Sequence, residues 1–597
     1  MIRKTQTLPT WDLSDLYQSD DDPRLDQAME EARERAARFE KRFKGTIAVA
    51  DLAAAHLRDA LVEYELLLRD QNRPQAYAML HFSTDTGDPR RGALLQRSRE
   101  FGSAVAAHLV FFDLEIGHIP VDAYEAIRNA AELASFRHYL DHQRSLAAHH
   151  LSEPEERILV ETANARGQAF CRLYTETHGA TRYALDQDGQ TCEMNQQELL
   201  SLLYSPDRDV RQAAAAALTS GLRRNAHVWT FIYNTLLHEK EVLDRLRGFS
   251  TPEASRHLHN ELDAGIVATV VDVCVANYDI VARYYTLKRR LLGLPELTHI
   301  DRYAPLAGGQ SEIPFAQAQE TVVDAFAGFS SRFGQIAHRF FDARWIDADV
   351  VDGKRGGAFC ASVTPDLHPY ILLNYTSQPR DVMTLAHELG HGIHDVLASG
   401  QHLLDYHPVL PLAETASTFG EMLVFDRLRQ TLNSSEERLA LLCGKIEDTF
   451  ATVFRQIAMF RFEQRAHADR RSRGELTTDH FSTLWQKCQQ EMFGNALQLG
   501  DEHACWWLYI PHIINTPFYV YAYAFGELLV LALYAQYEKE GEGFVDRYLE
   551  LLAAGGSRTP EDLISGLGFD IRSPSFWQNG CDLIRQRVEE AEALAQA

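Results

Sequence analysis

Residues 385–395 read Leu-Ala-His-Glu-Leu-Gly-His-Gly-Ile-His-Asp and contain the pattern H-E-x-x-H. Residues four positions apart in an α-helix lie about one turn apart on the same face, so His387 and His391 can grip one metal ion. Glu388 stands beside the first histidine, where its carboxylate can reach a water on that metal. The pattern predicts a zinc-binding helix, and the alternative is a polar helix face with two unrelated histidines.

The flanking sequence delimits this helix. Pro379-Arg380-Asp381 is a typical helix start, and Ser399-Gly400 is typical of a helix end. Just before it, the apolar runs 358–363 and 370–375 flank a turn-rich segment, so residues 356–375 predict a β-hairpin.

A catalytic zinc site takes three protein ligands and keeps one position open for water. His394 lies about 10.5 Å along the helix axis from His387, too far to share an ion, so we interpret it as a residue of the cleft. A following helix offers Glu414 and Glu421, seven residues apart and so on one face. We predict Glu414 as the third ligand. Glu421 is the alternative ligand, or it is ion-paired, solvated or hydrogen-bonded to a ligating histidine.

A second group of polar residues follows Pro511 and comprises His512, Tyr519, Tyr521 and Tyr523. Amide hydrolysis builds negative charge on the carbonyl oxygen, which O–H or N–H donors stabilise. Tyr519 and Tyr523 are four apart and can face one cleft. From spacing alone, tyrosines in such an apolar segment are more typical of core residues.

Composition narrows the function classes. The chain has 597 residues, of which 45% are hydrophobic, and a net charge of −25, so it is a folded protein whose charge repels nucleic acid and anionic membranes. Neutral or cationic solutes and peptides are the expected partners. The apolar stretch 518–537 is long enough to span a bilayer, but Glu527 at its middle favours a buried core helix.

The cysteines and the first residues bear on localisation. Eight scattered cysteines with no C-x-x-C pair predict free thiols in a reducing compartment. The opening residues contain no apolar run typical of a secretory leader. We expect a cytoplasmic protein.

Helical periodicity dominates the rest of the chain. It predicts helices over 23–43, 208–224 and 435–470, and Asp188-Gly189 predicts a hairpin within 182–193. The predicted fold is mainly α, with a small sheet beside the H-E-x-x-H helix. We predict an N-terminal helical lobe over residues 1–200 and a catalytic lobe over residues 201–597.

Several motifs in order along the chain are similar to one enzyme family. They are Trp11–Tyr17, Asp301–Leu306, Gly353–Phe359, Pro369–Tyr375, Asp381–His391, Ala413–Thr418, Arg455-Gln456, Phe462-Glu463 and Pro511–Gly526. With them the chain resembles the thimet-oligopeptidase family of zinc metallopeptidases. The segment 512–518 lacks the glycine pair of the thimet branch, so the resemblance is to the bacterial oligoendopeptidase F branch.

The resemblance implies a two-lobed helical body with a deep channel that admits short unstructured peptides. It implies one zinc per chain held by His387, His391 and Glu414, with Glu388 as general base. His512, Tyr519 and Tyr523 would assist at the oxyanion, and Tyr521 could take one of these roles or contact substrate. Gly356, Gly357 and Ala358 would line the substrate, together with His394 in the cleft.

The predicted function is a cytoplasmic zinc endopeptidase that hydrolyses oligopeptides. One alternative is a metal-dependent carboxypeptidase of related helical fold, although its usual H-E-S-x-H variant is not present. The other is an inactive peptide-binding protein, against which the intact His387, Glu388, His391 and Glu414 argue.

Overall fold

A computed structural model describes residues 8–187, 190–306, 312–432 and 434–596. The chain is mostly helical and divides into two compact units. Unit 1 comprises Met1–Glu153, Gln310–Thr431 and Gln536–Phe569, and unit 2 comprises Pro154–Gly309, Leu432–Ala535 and Asp570–Ala597. The mainly α prediction is confirmed. The lobe boundary predicted at residue 200 lies inside unit 2, because each unit is assembled from three separate segments.

The α-helices, in chain order, are α1 (Pro23–Phe43), α2 (Ala54–Thr84), α3 (Pro89–Gly117), α4 (Val121–Ile127), α5 (Arg137–Ala147), α6 (Glu153–Thr162), α7 (Gly167–Ala180), α8 (Gln196–Leu202), α9 (Arg208–Leu246), α10 (Ala254–His259), α11 (Ala264–Ala276), α12 (Tyr278–Leu291), α13 (Phe315–Phe329), α14 (Ser331–Asp342), α15 (Pro379–Ala398), α16 (Leu410–Ala413), α17 (Thr415–Thr431), α18 (Ser435–Thr452), α19 (Phe454–Arg473), α20 (Thr478–Phe493), α21 (Pro511–Asn515), α22 (Tyr521–Glu540), α23 (Glu542–Ala553), α24 (Pro560–Gly566) and α25 (Pro574–Leu594). The strands are β1 (Tyr183–Gln187), β2 (Gln190–Met194), β3 (Ile346–Asp347), β4 (Phe359–Ala361) and β5 (Tyr370–Leu372).

Unit 1 begins with the mutually packed helices α1, α2 and α3. Helix α1 has the predicted limits, because Pro23 occupies its first turn and the Asp22 side chain accepts the Arg24 N–H. One stripe of α1 is buried, with members three or four residues apart such as Leu25 and Met29. This stripe joins an apolar core in which Trp11 contacts the rings of Phe359 and Tyr370.

A three-stranded sheet precedes the H-E-x-x-H helix. Strands β4 and β5 form the antiparallel hairpin predicted within residues 356–375, although each is only three residues long. Strand β3 pairs in parallel with the other edge of β5, and the sequence did not indicate it. Two residues of strand leave no alternation to detect. Both β4 and β5 pack against α15.

Helix α15 runs from Pro379 to Ala398, as its start and end signals predict. The carboxylate of Asp381 accepts the backbone N–H groups of Thr376 and Gln378, at 2.7 and 3.0 Å, and so satisfies donors at the helix start. The buried face includes Val382, Leu385 and other apolar residues at helical spacing.

Unit 2 contains the other predicted hairpin and the longest helix. Strands β1 and β2 pair antiparallel, and their turn residues Asp188-Gly189 lie outside the described residues. Helix α9 continues well beyond the predicted 208–224. The single helix predicted over 435–470 is wrong, because α18 and α19 are separated at Val453, where ψ is −77°. No glycine or proline marks that break.

Helix α22 is the apolar segment that the sequence assigned to a core rather than a membrane. Its residues 524–534 are buried, and Glu527 accepts a hydrogen bond from Thr449 at 3.4 Å. The interpretation as a buried helix is confirmed. Elsewhere, Ala264–Leu291 is long and apolar enough to span a membrane, and half of its most apolar window is buried. The helices Pro89–Gly117 and Val121–Ile127, which are bent at their junction, meet this criterion of length and composition only when taken together. Core helices also pass this test.

Candidate metal centre and active site

Helices α15 and α17 of unit 1 form the centre of the candidate site. Later residues of α15 contact earlier residues of α17: Gly390 lies against Ala416 and Ser417, whereas Ala386 lies against Gly420. The helices are therefore antiparallel. A Cβ atom at Gly390 would stand 2.5 Å from the Ala416 carbonyl oxygen, so only glycine permits this approach of the two backbones.

This packing brings together three side-chain atoms that can bind a metal. His387 Nε2 and His391 Nε2 are 3.2 Å apart, and Glu414 Oε2 lies 3.3 Å from the first and 3.4 Å from the second. Ligand atoms at about 2.0–2.1 Å from a tetrahedral zinc ion stand about 3.3–3.4 Å from one another. The triangle therefore has the size that zinc requires. Among the described residues, His387, His391 and Glu414 form one group of potential metal ligands, whose ligand atoms all lie within 4.8 Å of one another.

Glu414 lies at the junction between α16 and α17 rather than within a long helix. Its backbone caps α16, and its carboxylate accepts a hydrogen bond of 2.7 Å from the Ser417 hydroxyl. Burial alone would raise the pKa of Glu414, but His391, His387 and Ser417 lower it to about 2. The carboxylate is therefore ionised and suited to bind a cation.

Glu421 contacts the other nitrogen of the first histidine. Its Oε1 lies 2.6 Å from His387 Nδ1. Burial would lower the pKa of His387, but this hydrogen bond and the carboxylate charges raise it to about 9. A carboxylate that accepts the Nδ1–H holds the ring so that Nε2 faces a metal. Of the two glutamates, Glu414 completes the ligand triangle, and Glu421 makes the hydrogen bond named above as its alternative role.

Glu388 projects toward the sheet side of α15. It is 7% exposed and shares the wall of a cavity of about 360 Å³ with His391. Burial raises the pKa of Glu388, against the opposing effects of the two histidines and of a hydrogen bond from the Cys360 backbone. A carboxylate beside a metal site, with an affinity for protons above that of an ordinary glutamate, is suited to accept and return a proton.

Only two of the four predicted substrate-binding residues near the hairpin and in the cleft line the cavity. Ala358 and His394 line the same cavity as Glu388. Gly356 and Gly357 are not among the lining residues of that cavity. Gly357 has a φ of 82°, which accounts for glycine there by conformation, and its carbonyl accepts a hydrogen bond from Asn374. Substrate binding by the two glycines stays a prediction.

The histidine and tyrosine cluster belongs to unit 2. The rings of His512, Tyr519 and Tyr523 lie with centroids 5.0–6.3 Å apart, and all three are half-buried. Burial and the charge of Arg455 lower the pKa of His512, so its ring is neutral at pH 7. The predicted grouping of these side chains is present, and their role at an oxyanion stays a prediction.

Tyr521 behaves differently from its neighbours. Its side chain is 1% exposed, and its hydroxyl accepts a hydrogen bond of 2.8 Å from Asn260 and lies 3.1 Å from His257 Nδ1. This burial contradicts the predicted contact with substrate, because Tyr521 lies on the inner face of α22. Within α22, a spacing of two residues places Tyr521 on a different face from Tyr523.

Four further polar residues of the cavity wall were not identified from the sequence: Cys360, Ser362, Asp395 and His407. A signal existed for Asp395, which is four residues beyond His391 and so lies on the same helix face. The other three come from β4, the residues after it and a loop. Only the tertiary fold brings these segments to α15.

Comparison with known proteins identifies the family. A model described as Peptidase family M3 matches residues 201–583, more than half of the chain. The chain belongs to peptidase family M3. A second model, described as Oligopeptidase F, matches residues 115–183. The predicted family is confirmed, and this M3 chain is a peptidase.

Relatives match the M3 chain along nearly its whole length. Oligopeptidase PepF of Bacillus subtilis (strain 168) is 26% identical over 592 residues, which cover 98% of this chain and 87% of the relative. An oligoendopeptidase F homolog of Lactococcus lactis subsp. lactis is 23% identical, with 98% and 97% covered.

Solved structures show the same fold. A crystal structure from Chlamydophila abortus has a TM-score of 0.86 at 22% identity and covers 98% of each chain. The crystal structure of oligoendopeptidase-F from Enterococcus faecium has a TM-score of 0.73 at 22% identity, with 96% of this chain and 99% of that chain covered.

Proposed function

We propose that this chain is a zinc-dependent endopeptidase that hydrolyses short unstructured oligopeptides. The observation that carries the proposal is the triangle of His387 Nε2, His391 Nε2 and Glu414 Oε2, with sides of 3.2–3.4 Å, in a chain of peptidase family M3. The substrate class is supported by the relatives named as oligopeptidases and oligoendopeptidases.

Three residues would hold one zinc ion per chain, and Glu421 would orient His387 for it. Zinc bound there would polarise the scissile carbonyl and lower the pKa of a water. In this proposal Glu388 takes the proton of the attacking water and passes it to the leaving amine. In this proposal His512, Tyr519 and Tyr523 donate hydrogen bonds to the oxygen on which charge develops.

The proposed compartment is the cytoplasm. All eight cysteines are unpaired, and five of them are buried. Free buried thiols suit a reducing environment. Fractionation of cells that carry the tagged protein tests this proposal: recovery outside the cytoplasm would contradict it.

An internally quenched peptide of about ten residues, blocked at both ends, tests the activity. We expect cleavage at an internal bond, read from product masses, and loss of cleavage when a chelator removes the metal. A carboxypeptidase would leave this peptide intact and degrade its counterpart with a free C-terminus. Intact peptides of several sequences, incubated with zinc-loaded protein, would contradict the proposal.

A further inference from the structure

The cavity beside the candidate metal centre contains a carboxylate with no role in the proposed reaction. Asp395 lies on α15 one turn beyond His391, and its side chain is 16% exposed. It lines the same cavity of about 360 Å³ as Glu388 and His391. A cavity of this size accommodates one large side chain.

Among the described residues of the cavity wall, the titratable groups other than the ligand His391 supply no positive charge to Asp395. His407 Nδ1 lies 3.9 Å from the Asp395 carboxylate. Desolvation lowers the pKa of His407 below the ordinary histidine value of about 6.5. Burial lowers the pKa of His394 to about 3. Both rings are therefore neutral at pH 7. Burial raises the pKa of the Cys360 thiol, which stays protonated.

A divalent ion at the metal centre would not reverse this balance. Glu414, Glu421 and Glu388 lie around the two ligating histidines, so three carboxylates already outnumber the two charges of the ion. Asp395 is a fourth. Burial raises the pKa of Asp395 to about 7, against the opposing effects of the nearby His391 and of a hydrogen bond from Ser362, so its surroundings compensate the carboxyl only in part.

We propose that this cavity binds the side chain of a lysine or arginine next to the scissile bond, with Asp395 as the carboxylate that pairs with it. The Ser362 hydroxyl and the neutral His407 ring, 3.4 Å apart, add hydrogen-bonding partners for a guanidinium or ammonium group. The inference rests on the proposed peptidase function and adds a preference in substrate to it.

The test uses pairs of quenched peptides, blocked at both ends, that differ only in arginine or citrulline at one position. Citrulline has the shape of arginine without its charge, and the position is moved one residue at a time across the cleaved bond. At one flanking position we expect kcat/KM to be about 10- to 100-fold higher for arginine, the range for a hydrogen bond to a buried charged group.

Asp395→Asn should reduce that preference to within about threefold, and its zinc content should stay that of the unaltered chain, because Asp395 is not one of the three metal ligands. Asp395→Glu keeps the charge and should retain a preference for arginine. Asp51→Asn, at an exposed position of unit 1, is the matched control and should change nothing.

Equal kcat/KM for arginine and citrulline at every position would overturn the inference and leave the peptidase function standing. An undiminished preference in Asp395→Asn would also overturn it. Absence of cleavage of every peptide would instead overturn the proposed function and this inference together.

Discussion

Glu421 Oε1 lies 2.6 Å from His387 Nδ1, the ring nitrogen that His391 and Glu414 do not contact. Glu421 of α17 and Glu414 of the preceding turn therefore contact the same histidine, each at a different ring nitrogen. Such a pairing fixes the tautomer and orientation of a ligating histidine before metal arrives. The roles of the two glutamates are therefore distinct and can be separated by experiment.

We expect Glu421→Gln to weaken zinc binding by about 10-fold, because it removes a charge behind His387 but no ligand. Glu414→Gln should weaken zinc binding by a larger factor, since it removes a ligand. Competition with a coloured chelator measures both affinities. The reverse order would assign the ligand role to Glu421.

We expect Glu388→Gln to lower turnover by about 10²- to 10⁴-fold while the protein keeps its zinc. The amide has the shape of the carboxyl but cannot accept and return a proton. Metal analysis and cleavage of the quenched peptide measure the two properties on one preparation. Turnover near that of the unaltered chain would contradict the role of Glu388.

Gly390→Ala should destabilise unit 1 by about 1–3 kcal/mol, because its methyl group would meet the backbone of Ala416 and Ser417 at 2.5 Å. Gly400→Ala is the matched control, since no heavy atom lies within 4 Å of its new methyl group. Denaturant unfolding compares the two variants. Equal stabilities would show that α15 and α17 are not so closely packed.

The three tyrosines of the 519–523 segment should divide into two classes. Tyr521→Phe should cost about 1 kcal/mol of stability, because Asn260 loses its partner, with little effect on kcat. At least one of Tyr519→Phe and Tyr523→Phe should lower kcat by about 100-fold. Full activity in both would remove them from the proposed oxyanion site.

Glu463 should make stability depend on pH. Its carboxylate accepts the Phe518 N–H, and burial raises its pKa from 4.5 to about 8, against the effects of Phe518, Arg256 and Lys240. Between those values the folded state holds one more proton than the unfolded state, so this group makes stability decrease as pH rises toward 8.

Thermal unfolding between about pH 5 and pH 9 measures this dependence. We expect Glu463→Gln to lose less stability over that range than the unaltered chain, because it has no proton to release. Glu193→Gln, at an exposed position, is the control. Parallel curves for Glu463→Gln and the unaltered chain would contradict the buried titration.

Local signals explain which features of the site were predictable. The limits of α15 follow from Pro379 and its capping residues, and helical spacing alone aligns His387 with His391. The separation of α18 from α19 at Val453 has no such signal, and strand β3 is defined by its pairing with β5. Local sequence cannot report either feature.

The residues of the cavity wall, too, were only partly predictable from local sequence. Asp395 shares a helix face with His391, whereas Ser362 and His407 reach it only through the fold. Equally, helical spacing allowed either glutamate as the ligand, and the turn at Glu414 together with the Ser417 hydrogen bond distinguishes them.

Titration of the metal-free protein with zinc, followed by cleavage of the doubly blocked peptide, tests the proposed centre most directly. We expect no cleavage without metal, a linear rise with added zinc, and a break at one equivalent per chain. His387→Ala should show no rise at that equivalent. Full cleavage by the metal-free protein, or a rise that is unchanged in His387→Ala, would contradict a zinc centre at His387, His391 and Glu414.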